Sequence, residues 1–326
     1  MAEKRSDSGV NAEAGSSALR SSSASAHRLS ALRPAMEIRA KVLAAIRSFF
    51  NAREFIEVET PIRLRAPALE LHIDAEPSGE AFLRTSPELH MKRLLAAGYP
   101  RIYQLGACFR RGERGARHNP EYTMLEWYRA HAGYTEILAD TKTLIAHVAT
   151  EVWGSTDIVY QGAPIALLPV WERMTVRDAF LQFAGWDPVK QFDPDRFDLD
   201  MVDKVEPQLP HNVPVVLTDY PVEAAALAKC KDGQPPVAER WELYVGGLEL
   251  ANAYSELTDP VEQRRRFEAC AEMRRALGKS VYPLDEAFLE ALEKMPPSGG
   301  IALGVDRLVM LMADAATLDE VMAFRE

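Results

Sequence analysis

A chain of 326 residues, 47% hydrophobic and 26% charged, has an ordinary globular composition and enough length for one large core or two modest ones. Its formal charge of −10 argues against a surface that binds polyanions throughout, yet basic residues gather at 110–117 and 264–275, and a nucleotide pocket needs only such a local field. No apolar run nears the ~18 residues of a membrane span, and Cys108, Cys230 and Cys270 lie far apart with no CxxC pair, which points to a cytoplasmic protein with reduced thiols, no zinc site and no membrane partner.

Residues 1–33 are rich in Ser, Ala and charge and lack the apolar centre of a signal peptide, so a disordered extension is expected there. A catalytic domain is expected over 34–326. Its first helix runs from Ala35 to Phe50, with Ile38, Val42, Ala45, Ile46 and Phe49 at helical spacing, and leads into the β-prone run Phe55–Pro61. Leu69, Leu71 and Ile73 alternate with polar neighbours and predict a half-buried strand. Pro77–Glu80 then turns the chain into 81–84. At Thr85-Ser-Pro-Glu88 a helix begins, with Ser86 as N-cap and Pro87 in the first turn, where Glu88 offsets the helix dipole.

Ile102–Phe109 and Tyr122–Arg129 predict a hairpin around a loop holding Arg110, Arg111, Arg114 and Arg117. Strand alternation puts Tyr122, Met124, Glu126 and Tyr128 on one face and Leu125 and Trp127 on the other, towards a core. The first face, beside an arginine-rich loop, suits a polar anionic ligand. Helices follow at Tyr134–Val152 and Thr175–Gly185, the latter with Thr175 and Asp178 as capping pair, and a buried strand at Val213–Leu217. Residues 153–235 read as an insertion within the domain, with no chemistry of their own.

Glu239–Glu256 predicts a second hairpin turning at Gly246-Gly247, with Tyr244 opposite Glu249 and Leu243 opposite Leu250. Glu242 and Glu249 become diagonal neighbours whose repulsion raises a pKa unless a cation lies between them. Asn252, Tyr254 and Glu256 have the opposite parity to Glu249, so a shared pocket requires a bulge near Leu250–Asn252. Asp259 caps a helix to Leu277 whose run Arg264–Arg266 is expected to be solvated; another helix spans Asp285–Met295. Ser298–Gly304 is a glycine-rich stretch that ends at a helix carrying Arg307 in its first turn, where phosphate is favoured.

CFRRGERGARHNPEYTMLEWY (108–128) resembles motif 2 of the class II aminoacyl-tRNA synthetases in their lysyl form. The helix and strand over 35–61 are similar to motif 1, and Ala302-Leu-Gly-Val-Asp-Arg-Leu-Val-Met-Leu311 to motif 3. The resemblance implies an α+β fold, an antiparallel sheet flanked by helices, and a homodimer through motif 1. It implies ATP and Mg2+ as cofactors, with Arg110 and Arg307 on the reacting phosphate and carboxylate and Glu242 and Glu249 as Mg2+ ligands. The nucleotide would be held by Arg111, Gly112, His118, Asn119, Glu249, Leu250 and Gly304, with Tyr122 stacked on adenine. The family pattern R-x-E meets Gly112 here, so its carboxylate is Glu113 through a shifted loop, or is missing. Ser86, Pro87 and Glu88 would meet the substrate's amino group, Glu256 its ε-ammonium, and Glu126, Tyr128, Asn252, Tyr254 and Ala302 would line the amino-acid pocket.

Lysyl-tRNA synthetases carry an anticodon-binding barrel before motif 1 and Gly-x-Gly in motif 3; this sequence has a short tail and Ala302-Leu-Gly304. In both respects it is similar to the elongation factor P lysine ligase family. That likeness implies activation of (R)-β-lysine or lysine as an adenylate and transfer to a lysine ε-amine of elongation factor P, without stable tRNA binding. Aminoacylation of tRNA, activation of an amino acid for biosynthesis, and a catalytically silent regulatory paralogue are the alternatives.

Overall fold

Strand-forming runs spread along the chain from Ile56 to Gly304 assemble into one large sheet. The computed structural model describes residues 26–325, except 226, 232 and 234. In chain order the elements begin with α1 (Arg33–Asn51), β1 (Ile56–Glu57), β2 (Arg63–Leu64), β3 (Pro77–Ser78), β4 (Ala81–Leu83), α2 (Glu88–Ala96), β5 (Arg101–Phe109) and β6 (Glu121–Ala130). Next come α3 (Tyr134–Trp153), β7 (Asp157–Tyr160), β8 (Ala163–Ala166), β9 (Glu172–Thr175), α4 (Val176–Phe183), α5 (Pro194–Asp200), β10 (Val215–Pro221) and β11 (Cys230–Lys231). The chain closes with β12 (Val237–Val245), β13 (Leu248–Ser255), α6 (Pro260–Ala276), α7 (Glu286–Leu292), β14 (Ser298–Gly304) and α8 (Val305–Met312).

Nine strands form the main sheet in the order β1-β5-β6-β14-β13-β12-β10-β9, with β11 paired to β12. The pairs β1–β5 and β9–β10, at the two ends, are parallel; the others are antiparallel. The expected parity holds. Leu125, Trp127, Trp241, Leu243, Ile301 and Leu303 face one side, where α1, α3 and α8 cover them with Ile46, Phe49, Ile145, Val148 and Leu308 in a single apolar core. Burying these large side chains, at ~1.5–3 kcal/mol each, fixes the register of every strand and so fixes what the opposite face presents.

Several expectations need correction. Residues 26–31 are helical, and Arg28 donates to the carbonyls of Met322 and Ala323, so the ordered chain begins before 34; the rest of the expected extension lies outside the described residues. Residues 67–76 form no strand. Their carbonyls are taken instead by the buried Arg274 guanidinium, which donates to Glu70, Leu71 and Ile73 and pairs with Asp74, so no ladder is needed. The stretch 153–235, expected as an insertion within the domain, contributes β9 and β10 to the main sheet. Arg264 and Arg265 pair with surface carboxylates as a solvated face would, but Arg266 turns inward to the carbonyls of Ala225 and Ala228. All three cysteines are free.

Candidate active site

The second face of the sheet is its polar one, and register decides which residues meet there. Glu126 of β6 lies opposite Ala302 of β14, which lies opposite Asn252 of β13, which lies opposite Glu242 of β12. One step along, Tyr128, Gly300 and Tyr254 are aligned in the same way. The expected bulge is present: Tyr244 pairs with Glu249, but Leu243 pairs with Ala251 and not with Leu250. Leu250 is the extra residue, and it puts Glu249 on the same face as Asn252 and Tyr254.

Arg110 stands where β5 ends. Its guanidinium is 5.3 Å from the centroid of the Tyr122 ring and 3.7 Å from Glu113, and its Nε is buried with no hydrogen-bond partner among the described residues. An unpaired guanidinium donor in a cleft fits a phosphate or carboxylate oxygen. Gly112, at φ +80°, supplies the left-handed turn that returns Glu113 to Arg110. Tyr122 donates to the Thr85 carbonyl, and its ring serves Arg110 in this structure, where the resemblance implies adenine. Arg111 is exposed and joins the loop to Asp74 through its backbone N–H. Asn119 uses its amide on the Glu121 carbonyl, so it shapes the loop.

Arg307, in the first turn of α8, donates to the backbone carbonyl and to Oε2 of Glu249 and lies 2.7 Å from His118 Nε2. That nitrogen accepts from Arg307, in keeping with burial and Arg307 holding the His118 pKa down. The α8 helix is fixed from below. Asp306 accepts from Arg39 of α1 at 2.6 Å and from Thr123 N at 2.7 Å, which ties helix, strand and Arg307 together. A Cβ on Gly304 would make ordinary van der Waals contacts, at 3.9 Å from the Arg307 side chain and the Leu250 carbonyl, so the protein's own packing does not demand glycine there.

Glu242 accepts from Tyr220 at 2.5 Å and Tyr244 at 2.8 Å, and pairs with Arg240. Glu249 is more open, its side chain 39% exposed. Its pKa is raised by burial at the floor of the cleft and by Glu242, against Arg307. Glu206 approaches from the preceding segment, 3.3 Å from the Tyr244 hydroxyl, and burial with Glu249 and Glu242 pushes it up to about 7. No group of three or more candidate metal ligands forms among the described residues. The donor set nevertheless fits Mg2+, which takes one or two carboxylates and completes its shell with phosphate oxygens and water.

The other end of the floor is a nest of buried carboxyls. Glu126 accepts from Ser86 at 2.7 Å and from Tyr128 at 2.8 Å, and burial together with Glu88 pushes it up to about 7. Ser86 also accepts from the Glu88 backbone N–H, while the N-cap position falls one residue later than expected, at Pro87, and Glu88 opens the helix. Glu256 is wholly shielded, and its Oε1 has no hydrogen-bond partner among the described residues. Gly300 makes room for it: a Cβ there would sit 2.2 Å from Oε1 and from the Tyr128 ring. Asn252 bridges Arg240 and the Tyr254 hydroxyl.

Sequence reading missed Lys92, Arg240, Tyr220, Glu206 and Glu70. Two of these were within reach of it. Lys92 is one helical turn beyond Glu88, and Arg240 has the parity of Glu242. Tyr220 and Glu206 come from the middle segment, which carried no motif. Glu70 is carried by the loop that Arg274 holds, and its carboxyl is raised to about 6 by burial, against Arg110.

An antiparallel sheet flanked by helices, with arginines and open carboxylates at one end of its polar face and buried carboxyls at the other, is the catalytic domain of a class II synthetase. The family model for tRNA synthetases class II (D, K and N) matches residues 17–326, and the chain belongs to that family. It is 39% identical to the lysine–tRNA ligase of Nostoc punctiforme, over 88% of this chain and 56% of that protein. The lysine–tRNA ligase of Thermosynechococcus vestitus is 40% identical, over 88% of this chain and 62% of its own length. That of Moorella thermoacetica is 38% identical, over 88% and 64%. The chain thus spans about three-fifths of the length of these relatives.

Proposed function

We propose that this chain activates a lysine-like diamino acid with ATP and passes the acyl group to an amine, the favoured acceptor being a lysine of elongation factor P. One observation carries the reading: a single sheet face holds Arg110, whose buried Nε has no hydrogen-bond partner among the described residues, together with Arg307 at one end, and buried carboxyls at the other. A substrate spanning the face keeps its carboxylate by Arg110 and its amines by Glu88, Glu126 and Glu256.

In the first step a carboxylate oxygen of the amino acid bonds to the α-phosphorus of ATP and the bond to pyrophosphate breaks. The carboxylate is already ionised, so the chain's task is positioning and charge stabilisation, which fall to Arg110 and Arg307. Mg2+ held at Glu249 and Glu242 would supply Lewis-acid neutralisation of the phosphates. In the second step the acceptor amine bonds to the activated carbonyl carbon, AMP leaves and the amine loses a proton to solvent. A second copy paired through α1 and β1 is part of the proposal.

Ala302 favours the protein acceptor and β-lysine. It lies opposite Glu126 on one side and Asn252 on the other, at the position where the motif 3 resemblance implies glycine in the lysyl-tRNA synthetases. The net charge of −10 also disfavours tRNA. The names of the relatives favour a second reading, attachment of lysine to tRNA. Incubation with ATP, labelled (R)-β-lysine or lysine, and either elongation factor P or bulk tRNA separates the two. Label is expected on elongation factor P; label on tRNA alone would establish the second reading.

A further inference from the structure

The pocket assigned above to the substrate's amines already contains a cation. Lys92 follows Glu88 by four residues on α2, a spacing that stacks the two side chains on one face of the helix. Its side chain is fully shielded from solvent, and its Nζ lies 2.5 Å from Glu88 Oε1 and 2.5 Å from Glu256 Oε2. One ammonium therefore joins α2 to the far end of β13 across the pocket. The other groups facing it are Glu126 and Tyr128 of β6 and Tyr254 of β13, with Ser86 at the mouth of the helix. No second cation reaches Glu88 or Glu256 among the ion pairs of the described residues.

Two carboxylates this close and this buried repel, and without a bridge one of them takes a proton. A protonated carboxyl no longer holds an ammonium by charge. Conversely, a lysine with no exposed surface is tolerable only when its charge is met. Burial alone would lower the Lys92 pKa, but Glu256 and Glu88 outweigh it and hold the amine charged. The bridge uses Oε2 of Glu256 and leaves Oε1 over Gly300 without a partner.

We propose that Lys92 is a positioning residue for the diamino substrate: a resident ammonium that bridges Glu88 and Glu256 and fixes their spacing, so that the free Glu256 oxygen can take a substrate amine. The proposal rests on the reading of this cleft as a diamino-acid site. It also gives Lys92 a part in specificity, since a pocket that supplies its own cation binds an amine by pairing charges and not by proton exchange.

The test is ATP–pyrophosphate exchange with lysine and with (R)-β-lysine across pH 6–9, for wild type, Lys92→Met and Lys92→Arg, with thermal melting as the check on folding. In Lys92→Met the amino-acid KM should rise about tenfold or more, since a buried pair is left unmatched. The KM for ATP should stay within about twofold, and the acid limb of kcat/KM should move up by about one pH unit as the unbridged carboxyls hold protons more tightly. Lys92→Arg keeps the charge, so it should keep the acid limb and raise the amino-acid KM severalfold through displaced carboxylates. A folded Lys92→Met with an unmoved limb, or with equal losses for ATP and amino acid, overturns the proposal. If Lys92→Met does not fold, Lys92→Arg decides: a shifted limb or an unchanged KM overturns it. Wild type silent with both amino acids would overturn the functional reading and this proposal with it, whereas an active wild type indistinguishable from its variants sinks the Lys92 role alone.

Discussion

Arg110 is anchored by a ring and a distant carboxylate and not by a close ion pair, so its guanidinium is free to strengthen contacts as charge develops on a reacting phosphate. Arg110→Ala should slow ATP–pyrophosphate exchange by roughly a hundredfold, ~3 kcal/mol. Arg110→Lys should recover little, because a point charge cannot reproduce a planar fork of donors; near-wild-type exchange in the alanine variant would remove Arg110 from the mechanism. Ala302 works on a smaller scale. In α-lysine the carboxylate and the nearer amine share a carbon, while β-lysine has a methylene between them, and in the proposed pose the Ala302 methyl would crowd the nearer position. One methylene-sized contact discriminates by ~1–3 kcal/mol, so Ala302→Gly should shift the ratio of adenylation efficiencies towards α-lysine by tens- to a couple of hundredfold. An unchanged ratio would mean that Ala302 does not set the choice. These residues were legible because motif spacing and strand parity both point to them. Glu206 and Tyr220 were not, because they reach the site through tertiary contacts that no local pattern encodes.

The loop joining β5 to β6 is clasped by the C-terminal segment. Leu318 N donates to the Ala116 carbonyl at 2.8 Å, and Arg325 Nη2 donates to the carbonyls of Gly115 at 2.7 Å and His118 at 3.0 Å. Arg325 is itself paired with Asp319, and Arg28 holds the Ala323 carbonyl from outside. Net hydrogen bonds of about 1 kcal/mol each suggest that Arg325→Ala raises the KM for ATP roughly five- to thirtyfold while the amino-acid KM hardly moves. Exchange kinetics with each substrate varied in turn would show it; equal changes in both would mean that the clasp supports the whole domain and not the loop. The two hairpins were readable in advance, even to the bulge at Leu250, because their alternation is enforced by a core on one side. The segment 67–76 also alternates, but the Arg274 side chain, two hundred residues away, supplies its hydrogen bonds, and alternation alone cannot reveal such a partner.

Across the molecule, the carboxyls with raised pKa values gather around the polar face of the sheet. Burial pushes Glu126 and Glu206 up to about 7 and Glu70 up to about 6 from the ordinary 4.5, and raises Glu249 and Glu256 in the same direction. Unfolding returns these groups to water, where they ionise near 4.5. Above that pH the folded chain therefore binds more protons than the unfolded one, and stability falls as pH rises. The contribution is full below about 4.5 and lost as pH passes through 6 to 7. His90 and His118, lowered by burial, act in the opposite sense around 6.5, but they are two groups against five. Without substrates, the melting temperature should decline between pH 5 and pH 8. Glu126→Gln should flatten part of that decline, because it removes the proton exchange while leaving Ser86 and Tyr128 a polar partner. ATP, Mg2+ and a diamino acid added together should flatten it further by bringing cations to carboxyls that otherwise take protons. Calorimetric melts at three pH values, with and without the substrates, measure all three effects. A melting temperature that climbs steadily from pH 5 to pH 8 in the absence of substrates would mean that these carboxyls are compensated in the folded protein by something other than protons.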